Sequence, residues 1–171
     1  MARPGPLKLR ARDAEDLKVL AAMLQDALVR PADMTYLVRE KRFVMVVNRF
    51  RWEHPESDLP EPDGEDDSPA EDVRFEEAGP RHLYDRVNAG VCFDRVTRVR
   101  TRNLDRRRKD QLLSLMTLHI APGAVTLVFS DDILVRLDLA GIACHMEDLG
   151  EPWPTPWRPS HETADGPQDG T

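Results

Sequence analysis

The sequence predicts an α+β fold, with an N-terminal helix packed on a curved, mainly antiparallel sheet of about seven strands. Three observations carry this. One stretch near the N-terminus repeats its apolar residues at helical spacing. The second half alternates apolar and polar residues in short runs. The links between those runs are turns, too short for the helical crossovers that parallel neighbours require. Such a sheet is expected to bend into a roll or small barrel. A pleckstrin-homology-like barrel is one version, although that fold closes with a C-terminal helix.

Leu7-Lys8-Leu9 is a short strand candidate. Asp13 then fits an N-cap, with Asp16 three residues on as its capping-box partner. Leu17, Leu20, Ala21, Leu24 and Leu28 form one apolar stripe on a helix of about four turns, ended by Pro31. Met34, Tyr36 and Val38 alternate as a strand, Glu40-Lys41-Arg42 make a charged turn, and Phe43–Trp52 return as a long strand. Asn48, Phe50 and Trp52 share one face of it.

Residues 90–103 read as a single strand and Asp105–Asp110 as a charged turn. Leu112–Ile120 and Val125–Phe129 are strands around a Pro122-Gly123 turn. Asp131-Asp132 lead by a tight turn into Ile133–Leu139. Residues 142–149 fit either a helix capped by Gly150 or a strand continuing past a bulge at Gly141; strand is preferred.

Charge is segregated. The chain of 171 residues has a net charge of −7. Glu53–Glu77 holds 12 acidic residues and one arginine, a net of −11, so the rest carries +4. With five prolines in residues 54–80, this stretch is expected to be a disordered insertion, 54–78, in a single domain spanning 1–161; residues 162–171 are a polar tail. No apolar run has the length of a secretory signal or of the ~20 residues a spanning helix needs. Cys92 and Cys144 sit in apolar segments rather than a cysteine framework, so the expected setting is the reducing cytoplasm.

Two features offer binding chemistry. Arg98, Arg100 and Arg102 share a strand face, and Arg106, Arg107, Arg108 and Lys109 follow in the next turn. With Arg95 that makes eight cations in fifteen residues, enough to engage phosphates. No aromatic residue alternates with them, so the stacking platform of a single-strand reader is missing. A solvated sheet face is the preferred reading, with the acidic insertion as a solubilising stretch or a cover for this strand. The second feature is Gly150–Pro159, where alternating prolines space Trp153 and Trp157 along an extended arm. The arm either docks a partner or sister chain, or lies back on its own sheet; the latter is preferred.

Catalytic signatures are missing from the sequence. No histidine pair has metal-ligand spacing, and no glycine-rich phosphate loop or Gly-x-Ser-x-Gly elbow occurs. Cys144 and His145 would point to opposite faces of a strand, a core thiol beside a surface imidazole. His119, on the face of Thr117, is expected to be a half-buried histidine. No cofactor, metal or catalytic residue is therefore assigned.

Several stretches read together resemble a family. They are Met34-Thr35-Tyr36-Leu37, Lys41-Arg42-Phe43, Asn48-Arg49-Phe50-Arg51-Trp52-Glu53, Phe93-Asp94-Arg95-Val96, and Glu147-Asp148-Leu149-Gly150-Glu151-Pro152-Trp153. The chain is similar over about residues 7–161 to uncharacterised alphaproteobacterial proteins grouped as a domain of unknown function, family 2948. The resemblance implies a bacterial cytoplasmic setting and brings no activity or site residues. The function expected is a non-enzymatic binding or interaction module, with a protein partner or homodimer. Nucleic-acid binding through the arginine strand, and an enzyme whose site assembles only in the fold, are the alternatives.

Overall fold

The computed structural model describes residues 5–53 and 84–155. The expected insertion at 54–78, Trp157 and the tail lie outside them. Among these residues ten strands form one antiparallel sheet around a single apolar core, with one α-helix. The strands are β1 (Lys8–Ala11), β2 (Ala27–Val29), β3 (Met34–Leu37), β4 (Arg42–Phe50), β5 (Tyr84–Phe93), β6 (Val96–Arg102), β7 (Leu113–Ala121), β8 (Ala124–Phe129), β9 (Leu134–Leu139) and β10 (Cys144–Thr155). The helix α1 is Ala14–Met23.

Asp13 caps α1 by accepting from the Asp16 amide at 2.8 Å, while the Asp16 carboxylate accepts from the Arg12 amide at 3.0 Å. Leu17, Leu20 and Leu24 carry its stripe into the core. The helix is shorter than the periodicity predicts. Asp26 takes a left-handed φ of 60° and its amide bonds Leu115 O at 2.9 Å, so Ala27–Val29 leave the helix and pair with β7. Sheet pairing overrides the helical spacing of Leu28.

The sheet order is β1-β10-β5-β4-β2-β7-β8-β9-β6, with β3 on the same edge of β4 that β2 reaches at the Leu28–Asn48 pair. It is therefore open, with ten strands where seven were expected, and its terminal strands β1 and β6 do not pair to close a roll or barrel. No helix follows β10 among the described residues.

Residues 90–103 are two strands, not one. Arg95, at φ 56°, turns a corner after Asp94, and β5 and β6 then pair with different partners. Of the 142–149 stretch, Cys144–Leu149 is strand, and its bulge falls at Gly150 (φ 72°), where the register with β5 shifts between Leu149 and Trp153, rather than at Gly141. Asp131 and Asp132, at φ 60° and 57°, make the primed turn that joins β8 to β9.

The core face of β4 carries Phe43, Met45 and Val47, and that of β10 carries Cys144 and Met146. Both faces continue by alternation into a charge, Arg49 and Asp148 respectively. No helix of the described residues is long and apolar enough to cross a membrane.

Candidate binding cleft

After the corner at Arg95, β6 comes back opposite β3. Among the described residues β3 pairs only with β4, and β6 only with β9, so no ladder joins their facing edges. Three hydrogen bonds close the ends of the gap, one of them from the Val96 amide to Lys41 O at 2.9 Å. Tyr36 Oη donates to Val96 O at 2.8 Å, and the Ala32 amide donates to Lys109 O at 3.3 Å. Pro31 opens the short 3-10 turn that carries Ala32.

Between these ends lies a cleft of about 620 Å³. Its walls are apolar: Met34, Tyr36 and Phe43 from one side, Val99, Leu104 and Val135 from the other. Thr35 and Thr101 add hydroxyls, and Arg106 and Lys109 add positive charge. Neither cation has an ion pair among the described residues. The volume falls within the 300–1,000 Å³ of small-molecule sites, and an apolar body with a few polar groups is their usual chemistry.

The eight-cation run is thus divided by the fold. Arg106 and Lys109 line the cleft. Arg98, Arg100 and Arg102 lie exposed on the outer face of β6, while Val99 turns inward. Arg100 is held at 3.1 Å by Asp138, whose carboxyl is drawn below its ordinary pKa first by Arg136, then, against desolvation, by Arg100. Arg107 and Arg108 are exposed, and Asp105 caps the Arg107 amide at 2.9 Å. Trp153 is half-buried in β10, opposite Arg86 of β5. The arm as far as Thr155 is accordingly part of the sheet.

His119 is exposed, correcting the half-buried expectation. Cys144 is buried and its neighbour His145 exposed, on opposite faces. Burial pushes the Cys144 thiol well above its ordinary value, with smaller contributions from Cys92 and Asp94.

A second hollow, about 710 Å³, lies near Arg51, Asp85, Asp148 and Glu151. Its charges are largely engaged. Arg51 reaches Asp85 at 3.4 Å. Asp148 is bound to Arg49 through two bonds of 2.8 and 2.9 Å. Arg49 is fully buried, and every one of its five N–H groups is used. Besides Asp148 it donates to Glu53 at 2.7 and 2.9 Å and to Phe50 O at 3.0 Å. Desolvation opposes the charge on Arg49, but the hydrogen bonds and charges of Glu53 and Asp148 outweigh it and raise its pKa. Next to this knot, Arg86 stacks over the Phe50 ring at 3.8 Å and donates to Asn48 Oδ1 at 2.9 Å.

The knot joins Asn48–Glu53 to Glu147–Trp153, two of the stretches that carry the family resemblance. A family model described as a protein of unknown function (DUF2948) matches residues 7–161. The chain belongs to this family. No curated protein and no solved structure matches it. Another resemblance stretch of this DUF2948 chain, Met34–Leu37, forms one wall of the cleft, and Phe93–Val96 forms the corner that brings β6 to face it.

Sequence reasoning named Arg106 and Lys109 but missed their apolar partners. Tyr36, Val99 and Val135 look like ordinary strand residues, and nothing in a period-2 pattern reveals that an edge is left unpaired.

Proposed function

We propose that this DUF2948 protein is a non-enzymatic binding module whose ligand is a small amphipathic anion, an apolar body carrying a carboxylate, sulfonate or phosphate. One observation carries the reading: an apolar cleft, closed at both ends, with two cations on its wall that have no acidic partner among the described residues. Closure at the ends favours a compact ligand over a peptide strand, which needs an open path along the edge. The anionic group would meet Arg106 and Lys109, and the apolar body would lie against Tyr36, Phe43 and Val99. Two free thiols, Cys92 and Cys144, support a reducing cytoplasmic setting for the module.

Titration with anilinonaphthalene sulfonate, an aromatic sulfonate whose emission rises in apolar surroundings, tests this. One saturable site is expected, weakened at least tenfold by the double change Arg106→Glu, Lys109→Glu, with the circular dichroism spectrum intact. Equal binding by the two proteins sinks the proposal.

A second reading is supported by the exposed row Arg98, Arg100 and Arg102: phosphate contacts with a nucleic acid along β6. It expects salt-dependent binding, strengthened by deleting residues 54–78. Asp138 already engages Arg100, which weighs against it. No binding by the deletion variant at low salt would exclude it.

A further inference from the structure

Away from the cleft, on the outer face of the sheet, the ladder assembles three different metal-ligand types. Cys92 of β5 and His145 of β10 are directly paired Cα partners, so their side chains stand side by side. Asp94 follows Cys92 by two residues, at the corner, where its amide bonds Ala143 O at 2.8 Å. One donor atom from each residue lies within 4.8 Å of the other two. His145 Nδ1 is 3.8 Å from Asp94 Oδ2, and Cys92 Sγ is 4.0 Å from Asp94 Oδ1.

We propose that Cys92, Asp94 and His145 form a site for a divalent transition metal, with Zn²⁺ the best match. Zn²⁺ bonds thiolate sulfur, imidazole nitrogen and carboxylate oxygen at roughly 2.0–2.3 Å, which puts the donors of a tetrahedral ion about 3.3–3.8 Å apart. The three donors, all within 4.8 Å of one another, must draw together by at most about 1.5 Å to reach that. A thiolate with an imidazole selects for Zn²⁺ over Mg²⁺ or Ca²⁺, which prefer oxygen alone. The donors sit on paired strands and a bonded corner, so little chain ordering is needed on binding.

Arg42 has the role of an outer-shell partner. Its Nε holds Asp94 Oδ1 at 2.6 Å, which leaves Oδ2 on the side of His145. Three protein donors leave one position for water, the count of an exchangeable site rather than a closed structural one. A shallow groove runs from Cys92 and His145 over Gly90 to Val46 and Leu149, so that position is reachable from solvent.

Cobalt, a spectroscopic stand-in for zinc, tests the site in full-length protein made without a histidine tag. A one-to-one titration is expected, with a thiolate-to-cobalt charge-transfer band and the intense visible bands of tetrahedral coordination, both removed by one equivalent of Zn²⁺. The charge-transfer band should vanish in Cys92→Ala and persist in Cys144→Ala. His145→Ala and Asp94→Asn should each weaken binding at least tenfold. No charge-transfer band, or one that survives Cys92→Ala, overturns the proposal. If Cys92→Ala fails to fold, alkylation of the wild-type protein decides: Zn²⁺ should slow iodoacetamide modification of Cys92, and an unchanged rate overturns it.

Discussion

The Arg49 knot and the β3–β6 cleft are two ways for one sheet to place positive charge near apolar surface. At the knot the charge is fully enclosed, and five donors meet five bonds to Asp148, Glu53 and Phe50 O. In the cleft, Arg106 and Lys109 stand beside an apolar hollow with no acidic group against them among the described residues. A guanidinium whose every proton is spoken for has nothing left to offer a ligand, so its role is to hold β4, β10 and the turn at Glu53 that follows β4 together. Cations without a partner contribute nothing comparable to the fold, and their position has to be explained by what comes to them. The first region should therefore fail in stability when altered, and the second in binding.

The largest expected effect is at Arg49. Arg49→Met leaves Asp148 buried without its partner, a change of the kind that costs about 3–5 kcal/mol. For a domain of this size the melting temperature should fall on the order of 10 °C. Arg49→Met combined with Asp148→Leu should recover part of the loss, because the buried Asp148 charge is gone and only the partly exposed Glu53 has lost its guanidinium. Denaturant unfolding of the three proteins measures both steps. A loss below about 1 kcal/mol for the single variant would mean that the knot is not what holds these strands.

Gly150 comes next. It carries the bulge that separates the Asp148 register from the Trp153 register, at φ 72°. An added Cβ meets nothing within 4 Å there, so the cost of Gly150→Ala is that of the left-handed backbone alone, roughly 1–2 kcal/mol. A neutral result in thermal unfolding would show that the bulge relaxes without harm to the knot.

How much of this was legible beforehand depends on whether a feature is local. The cap of α1 was readable because Asp13 and Asp16 satisfy amides within one turn of themselves. The hairpin through Asp131-Asp132 was readable for the same reason. The end of α1 was not, since Leu28 has helical spacing and only its pairing with Ser114 of β7 places it in a strand. The corner at Asp94-Arg95 was missed because neither glycine nor proline marks it, and without that corner β6 cannot face β3. Cys92 and His145 are strangers in sequence and neighbours only by the β5–β10 register, so alternation could separate His145 from Cys144 but could not bring Cys92 to it. Arg49 and Asp148 went unnamed as core residues, although alternation from Val47 and Met146 would have placed both on the buried face.

A smaller effect, dependent on pH, belongs to Glu53. Burial would raise its pKa, but the Arg49 hydrogen bond, its own backbone bond and the charges of Arg49 and Arg51 outweigh that and lower it below the ordinary 4.5. A carboxyl with a depressed folded pKa stabilises fully above its unfolded value and loses that contribution as pH falls through the folded one. Wild-type protein should therefore exceed Glu53→Gln in stability near neutral pH. The gap should close as pH drops below 4.5 towards the depressed value. A gap that stays constant through this range would detach Glu53 from the knot.

The smallest effect on stability is expected where binding should change most. Arg106→Glu with Lys109→Glu removes two cations from a cluster that includes Arg107 and Arg108, so the fold loses no ion pair among the described residues and gains relief from like-charge repulsion. Its unfolding free energy should stay within about 0.5 kcal/mol of wild type, the usual range for surface positions. Measured beside Arg49→Met, this pair of results would separate a charge that builds the sheet from charges that the sheet presents. A melting temperature several degrees lower for the double variant would place Arg106 and Lys109 with Arg49 as structural, because the two cations would then be answering a need of the folded chain and not of a ligand.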